Sequence, residues 1–483
     1  VVRISRRGIF AYGIGTAAAG TAAGVSPALA EGSGSKVPSG AWKDFAETID
    51  GPVWLPGTRR YTSAKKLFNP LFDTRKPAAV VRVQRRRDVE RAVAFAAEHD
   101  LKISVRGGGH SYVGASAQNG MMQLDLRDCA KISYESSARR ATVQAGAGLH
   151  AVHEALSAHD RSIPTGTCPT VGTAGLTVGG GIGIDSRRCG LTCDALVSAT
   201  VVLPSGKAVT ASPTSHKDLF WALQGGGGGL NGVVTDLTYD THPVGSRATF
   251  SLEYSPSAAV PVMTGWAKWL ESADRHRWAN VHIGTDGHGT LTVKVVGVAD
   301  AGDERDAAAA LASHIGTHST KSSYRRRSHM ELVDYLGGGA TSDRESFCAG
   351  TDVLAELDTA TAKAILATVE ERSRSTRKSA AVLDPLDGAV HSRKSADSAF
   401  PWRSELASVQ WYTNVGGSNG VKAGRAWVEH GHTALTSVSR GGFVNYLESG
   451  DSASRYFADN TSRLRRIRRH YDPDRLIQSG LSV

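Results

Sequence analysis

Three glycine clusters, Gly107-Gly108-Gly109, Gly179-Gly180-Gly181-Ile182-Gly183 and Gly225–Gly229, constrain this 483-residue chain more than any other feature. Without a Cβ, a backbone can take positive φ and can come into direct contact with a ligand or another strand of chain. Such runs interrupt helix and strand and place tight loops. Turned N–H groups in these loops can form an anion-binding nest suited to a pyrophosphate. Each of the first two clusters has a nucleophile nearby. His110 closes Val105-Arg106-Gly107-Gly108-Gly109-His110-Ser111, and Cys168 sits in Pro164-Thr165-Gly166-Thr167-Cys168-Pro169-Thr170-Val171-Gly172, ahead of Gly179. A lone histidine after glycines is ordinarily a hydrogen-bonded loop residue, and a lone cysteine an inert buried hydrophobe. As a pair beside phosphate-compatible loops, they suggest two covalent tethers to one cofactor.

The surrounding order supports that reading. Ala79–Val83 reads as a buried strand, Arg87–Ala96 as a helix, and Leu101–Val105 as a second strand delivering the Arg106–Ser111 loop. Ala199–Leu203 is a strand ending in the turn Pro204-Ser205-Gly206. In the centre, Ala248–Tyr254 alternates, Asp286-Gly287-His288-Gly289 joins two strands as a hairpin, Ser408–Thr413 is a strand, and Thr361–Arg372 is helical. Gly227–Gly232 satisfies GxGxxG, but Val233–Tyr239 follows as a strand where a Rossmann unit needs a helix. Gly416-Gly417-Ser418-Asn419-Gly420 fits a serine-hydrolase elbow, with His430 and His432 near in sequence. Ser and Asn between glycines are equally ordinary turn residues, and no apolar core strand is expected before them.

Taken together, these segments resemble the berberine-bridge-enzyme-like, FAD-linked oxidases of the vanillyl-alcohol oxidase superfamily. The matching pieces are Arg106–Ser111, Gly166–Gly172, Gly179–Gly183 with Arg187 and Gly190–Asp194, Asp218–Leu223, Gly225–Gly229, Gly232–Thr235, Asn445-Tyr446 and Tyr471-Asp472-Pro473. The resemblance implies an α+β fold: a PCMH-type, two-subdomain FAD-binding domain plus a substrate domain with an antiparallel sheet covered by helices. It places the FAD domain at 31–245 (core about 73–244), the substrate domain at 246–435, and a returning segment at 436–483. It implies FAD attached bicovalently to His110 and Cys168. Arg106, Gly107, Gly108, Gly109, Ser111, Val171, Gly172, Gly175, Gly179, Gly180, Gly183, Val234 and Asn445 would surround the flavin. Tyr446 is the expected base, and Tyr412 and Gln410 share one strand face by period-2 geometry and could line the same cavity. This chain departs from the family pattern at Gln224, Leu230-Asn231, Ala174-Gly175-Leu176 and Trp402, the last altering a wall expected near the substrate.

The expected activity is oxidation of a hydroxyl group on a bulky substrate, an oligosaccharide or glycosylated natural product, with molecular oxygen as acceptor. A dehydrogenase using another acceptor, a serine hydrolase and a non-catalytic flavoprotein are the alternatives. Ser5-Arg6-Arg7-Gly8-Ile9-Phe10, an apolar stretch and Ala28-Leu29-Ala30 form a twin-arginine leader over 1–30, implying secretion. The formal charge is +10, or +7 without Arg3, Arg6 and Arg7. The Arg463–Arg469 cluster reads as a solvated helix face, so no nucleic-acid partner is expected. No membrane span and no metal site are expected either. Of the five cysteines, four besides Cys168 could pair or remain free.

Overall fold

The computed structural model describes residues 37–375 and 377–483, so the expected leader lies outside the described residues. Short apolar strands build the first sheet. Ala79–Arg82, Met122–Asp125 and Ile103–Arg106 pair in parallel, Val53–Trp54 adds antiparallel at one edge, and Ile477–Gln478 adds parallel at the other. Parallel strands covered on both faces need continuous apolar runs. Val80, Val81, Ile103, Met122 and Leu124 are accordingly fully buried. Helix Arg86–Glu98 packs Val89, Ala92, Val93 and Ala96 into the same core.

A second, antiparallel sheet runs in the order Ile132–Glu135, Arg140–Gln144, Val233–Asp240, Leu196–Val202, Ala208–Ala211. Val233–Asp240 is a strand, which removes the helix that a dinucleotide GxGxxG unit would require. The two sheets share one core.

The third sheet is antiparallel and eight-stranded: Lys321–Arg327, Arg247–Tyr254, Leu291–Asp300, Trp278–Thr285, Ser379–Pro385, Ala407–Asn414, Phe347–Leu354, Ser439–Gly441. Helices Ala259–Ser272, Thr359–Ser373 and Gly417–Ala434 bury Trp266, Trp269 and Trp411 against one face. The fold is therefore α+β. The alternation at 248–254 predicts a half-exposed strand, yet seven of the eight residues of Arg247–Tyr254 are buried. Its second face packs towards the layer of the first two sheets, where Arg247 Nη1 donates to Asp185 Oδ1 at 3.0 Å.

Three local readings change. An apolar strand, Ala407–Asn414, does precede Ser418, and the helix Gly417–Ala434 follows it. Ser418 is nonetheless exposed, and His432 on the same helix bonds Asp352 and Glu448 instead. The basic helix Thr461–Tyr471 is not solvated at all its arginines: Arg468 is buried and donates to the Ile477 carbonyl at 3.0 Å. All five cysteines are free. Among the described residues, no helix is long and apolar enough to cross a membrane.

The Tyr471-Asp472-Pro473 motif has a structural role. Asp472 is fully buried and accepts from the backbone N–H groups of Leu476 (2.7 Å) and Ile477 (3.1 Å), turning the chain into its last strand. Asp472→Ala leaves two buried donors unpaired. It is expected to lower the unfolding free energy by about 1–3 kcal/mol, measured by denaturant titration; an unchanged midpoint would contradict this role.

Candidate active site

Two glycines bring the candidate tethers together. A Cβ on Gly108 would stand 2.3 Å from the Gly172 nitrogen and 2.6 Å from the Thr170 carbonyl oxygen. A Cβ on Gly172 would stand 2.2 Å from the Gly108 nitrogen. The His110 loop and the Cys168 loop thus meet backbone on backbone, a contact that no other residue type permits. Gly109, at φ +81°, then turns the chain so that His110 follows.

Both loops open onto one cavity of about 810 Å³, towards the upper end of the roughly 300–1,000 Å³ usual for small-molecule sites. Gly107, Gly108, Gly109, His110, Ser111, Cys168, Val171, Gly172, Gly175, Gly183 and Val234 line one side. The uncovered face of the eight-stranded sheet supplies Asn280, His282, Asp384, Gln410 and Tyr412, and the C-terminal segment supplies Asn445 and Tyr446. Period-2 geometry explains the sheet's contribution, since Gln410 and Tyr412 face the cavity while Val409, Trp411 and Thr413 are buried under the helices.

Three residues expected around the flavin stand outside the cavity wall. Arg106 lies behind the loop, donating to the Ala64 carbonyl at 2.8 Å. Gly179 makes room for Asn445, whose Oδ1 would lie 1.9 Å from an added Cβ; Asn445 Nδ2 donates to Leu176 O at 2.9 Å. Gly180, at φ +117°, packs under Phe400.

His110 is stacked on Phe68, centroids 4.1 Å apart and planes 18° apart. Burial, and then the Arg106 charge, lowers its pKa to about 4, so the imidazole is neutral at physiological pH. Cys168 is accessible because its thiol faces the open cavity, although protein surrounds that cavity. This enclosure pushes the thiol up to about 11, opposed by the Thr170 and Val171 backbone N–H groups.

Tyr446 stacks on Tyr112 (5.1 Å, 10°) and meets Phe443 edge-on (5.1 Å, 80°). Burial, reinforced by the charge of Asp384, raises its phenol well above the usual range. Burial also raises Asp384, to about 6, against a single hydrogen bond from Asn280 Nδ2 at 3.2 Å. Gln410 Nε2 donates to the Tyr112 hydroxyl. Tyr412 donates to Glu345 at 2.7 Å and stacks on Phe347 at 4.7 Å.

Sequence reasoning missed Asp384, Tyr112, Glu345 and Phe347. Asp384 left one signal, a carboxylate near the end of the apolar run Ala380-Ala381-Val382-Leu383. Tyr112 stands only two residues beyond His110.

The loop carrying Tyr446 is fixed from behind. His432 bridges Asp352 (2.7 Å) and Glu448 (2.9 Å), and Glu448 lies two residues beyond Tyr446. Burial alone would lower His432, but hydrogen bonds to both carboxylates raise it to about 9. Trp402 braces the same segment, its Nε1 donating to Gly442 O at 2.8 Å. It does not line the cavity, so it is no substrate wall. Gln224 is buried and donates to Cys193 O at 2.9 Å.

The cavity fits a large polar cofactor. Gly226–Gly229 present backbone to it, and the buried Asn231 Oδ1 beside them has no hydrogen-bond partner among the described residues. An acceptor so placed matches a ligand donor.

Residues 77–212 match the family described as FAD binding domain, and residues 442–483 the one described as berberine and berberine like. Fold and cavity are thus those of a flavoprotein. The chain is 28% identical over 434 residues to the uncharacterized FAD-linked oxidoreductase YgaK of Bacillus subtilis (strain 168), covering 88% of this chain and 94% of that one. It is 26% identical over 441 residues to a chitooligosaccharide oxidase of Gibberella zeae, covering 84% and 87%. Its fold matches that of glucooligosaccharide oxidase from Acremonium strictum, a protein with 6-S-cysteinyl, 8α-N1-histidyl FAD. That match has a TM-score of 0.83 at 23% identity, over 92% of this chain and 98% of the other. The chain carries an FAD binding domain and a berberine-like C-terminal segment, and its relatives are FAD-linked oxidoreductases and oligosaccharide oxidases.

Gly108→Ala is expected to separate the two loops, lowering the melting temperature and the yield of flavin-loaded protein. Gly175→Ala, with nothing within 4 Å of the added Cβ and a helical position, should leave the melting temperature unchanged or slightly higher. Equal melting temperatures for the two variants would contradict the close-approach argument.

Proposed function

We propose that this protein oxidises a hydroxyl group of an oligosaccharide or glycosylated natural product, with dioxygen as final acceptor and hydrogen peroxide as product. FAD, held through His110 and Cys168, would supply the hydride-accepting chemistry when bound. The carrying observation is that Tyr446 and the buried Asp384 both line the cavity that His110 and Cys168 also line, with the Asp384 charge acting on the Tyr446 phenol. A proposal of export through a twin-arginine leader rests on residues 1–30 of the sequence.

The residues divide the work as follows. Asp384 is a carboxylate above about pH 6 and has no cationic partner among the described residues. Tyr446 is too weak an acid to ionise unaided in so buried a place. It acts as a relay, taking the substrate's hydroxyl proton at Oη as its own passes towards Asp384. The Gln410–Tyr112 hydrogen bond holds Tyr112 against the Tyr446 ring. Phe347, Tyr412 and Tyr112 offer apolar ring faces for the C–H face of a sugar and exclude water from it. The carbohydrate reading draws support from the oligosaccharide oxidases among the relatives.

Tyr446→Phe is expected to lower the rate of flavin reduction by about 10²–10⁴-fold, with little change in KM, measured by anaerobic stopped flow. The wild-type rate should rise as Asp384 loses its proton near pH 6, and Asp384→Asn should remove that limb. A wild-type profile retained in Asp384→Asn would reject the relay. Peroxide release under air across an oligosaccharide panel identifies the substrate. Turnover of an artificial acceptor without peroxide would replace dioxygen as the physiological oxidant.

A further inference from the structure

The chain segment that carries Cys168 continues through Thr170, whose hydroxyl oxygen lies 2.8 Å from Nε2 of His110. Ser342 stands on the other side of Thr170, its Oγ 2.6 Å from Thr170 Oγ1. Ser342 comes from the segment between the helix His329–Gly337 and the strand Phe347–Leu354, part of the layer built on the eight-stranded sheet. That segment is pinned to the flavin side of the molecule: Arg344 Nε donates to Leu67 O at 2.6 Å, and its Nη1 to Asp73 Oδ2 at 3.0 Å. The adjacent Phe68 ring stacks on His110. Three side chains from two layers therefore form one hydrogen-bonded chain, running from the imidazole to a serine on the cavity wall.

We propose that Thr170 and Ser342 are positioning residues for covalent attachment of flavin at His110, keeping the proton on Nε2 so that Nδ1 presents its lone pair to the cofactor. This rests on the reading of His110 as a flavin tether. A neutral imidazole carries one proton, and only the unprotonated nitrogen is a nucleophile. With the proton on Nε2, the N–H donates to Thr170 Oγ1, and Thr170 donates in turn to Ser342. The opposite tautomer would leave an N–H on Nδ1, which has no acceptor among the described residues. Burial keeps the ring neutral, as the bond-forming step demands. Nδ1 uses its lone pair to form the N–C bond to a flavin methyl carbon, one C–H bond of that methyl breaks, and the Nε2 proton leaves through Thr170 towards Ser342. The two electrons released pass to dioxygen, which takes up both protons as hydrogen peroxide. Because Ser342 lies in the substrate-side layer, the His110 bond forms only once that layer is docked.

The test is peptide mapping of the purified holoprotein after denaturation, with flavin-bearing peptides quantified by mass and fluorescence. In the wild type, flavin should be found on the peptides containing His110 and Cys168. In Thr170→Val the His110-linked fraction should fall about tenfold, the effect of losing one orienting hydrogen bond, while the Cys168 link persists and shows that the fold is intact. Thr170→Ser should restore the His110 link, and Ser342→Ala should lower it. Full His110 linkage in both Thr170→Val and Ser342→Ala would overturn the positioning role and leave the tether assignment standing. A wild-type protein with no flavin on the His110 peptide would overturn the tether assignment, and this proposal with it.

Discussion

The contact between Gly108 and Gly172 is the constraint on which the site depends. Two loops from different parts of the flavin-binding layer approach until their backbones touch, and a methyl group on either glycine would collide with main-chain atoms. Main-chain atoms cannot rotate away as a flexible side chain can. The contact is therefore permitted or forbidden by residue type alone. His110 lies two residues beyond Gly108, and Cys168 four residues before Gly172, so both reach the same wall. The last strand, Ile477–Gln478, supports this arrangement from below by pairing with Ile103–Arg106.

The opposite wall is made by a sheet with one face left uncovered. Helices fill one side of the eight strands, and Asn280, Asp384, Gln410 and Tyr412 stand on the other. Enclosure then acts on each ionisable group in the direction of its neutral form. It holds His110 neutral, keeps the Cys168 thiol and the Tyr446 phenol protonated, and lifts Asp384 to about 6. Each has a neighbour that acts on it: the Thr170 hydroxyl bonds His110, the Thr170 and Val171 backbone N–H groups oppose the rise at Cys168, and the Asp384 charge adds to the rise at Tyr446.

The sequence disclosed the fold wherever periodicity and local turn chemistry decide it. Ala79–Arg82, Arg86–Glu98, Val233–Asp240 and the hairpin at Asp286 follow from apolar spacing and from residues that favour turns. Gln410 and Tyr412 share a cavity face because a strand alternates strictly. Asp384 and Glu345 were not legible, since their meaning comes from what stands across the cavity, more than 60 residues away from Tyr446 and Tyr412 respectively along the chain. The glycine clusters were legible as loops but only partly as to purpose. They read as phosphate cradles, whereas Gly108, Gly179 and Gly180, like Gly172 in the Cys168 segment, are needed for contacts within the protein. Arg468 misled for a similar reason: its buried bond to Ile477 depends on a strand that returns from the chain terminus.

The measurement that tests the account most directly is mass mapping of the acid-denatured, protease-digested wild-type protein. One flavin is expected to join the peptide with His110 to the peptide with Cys168 in a single cross-linked species. Release of free FAD on denaturation, or flavin on any other peptide, would contradict it.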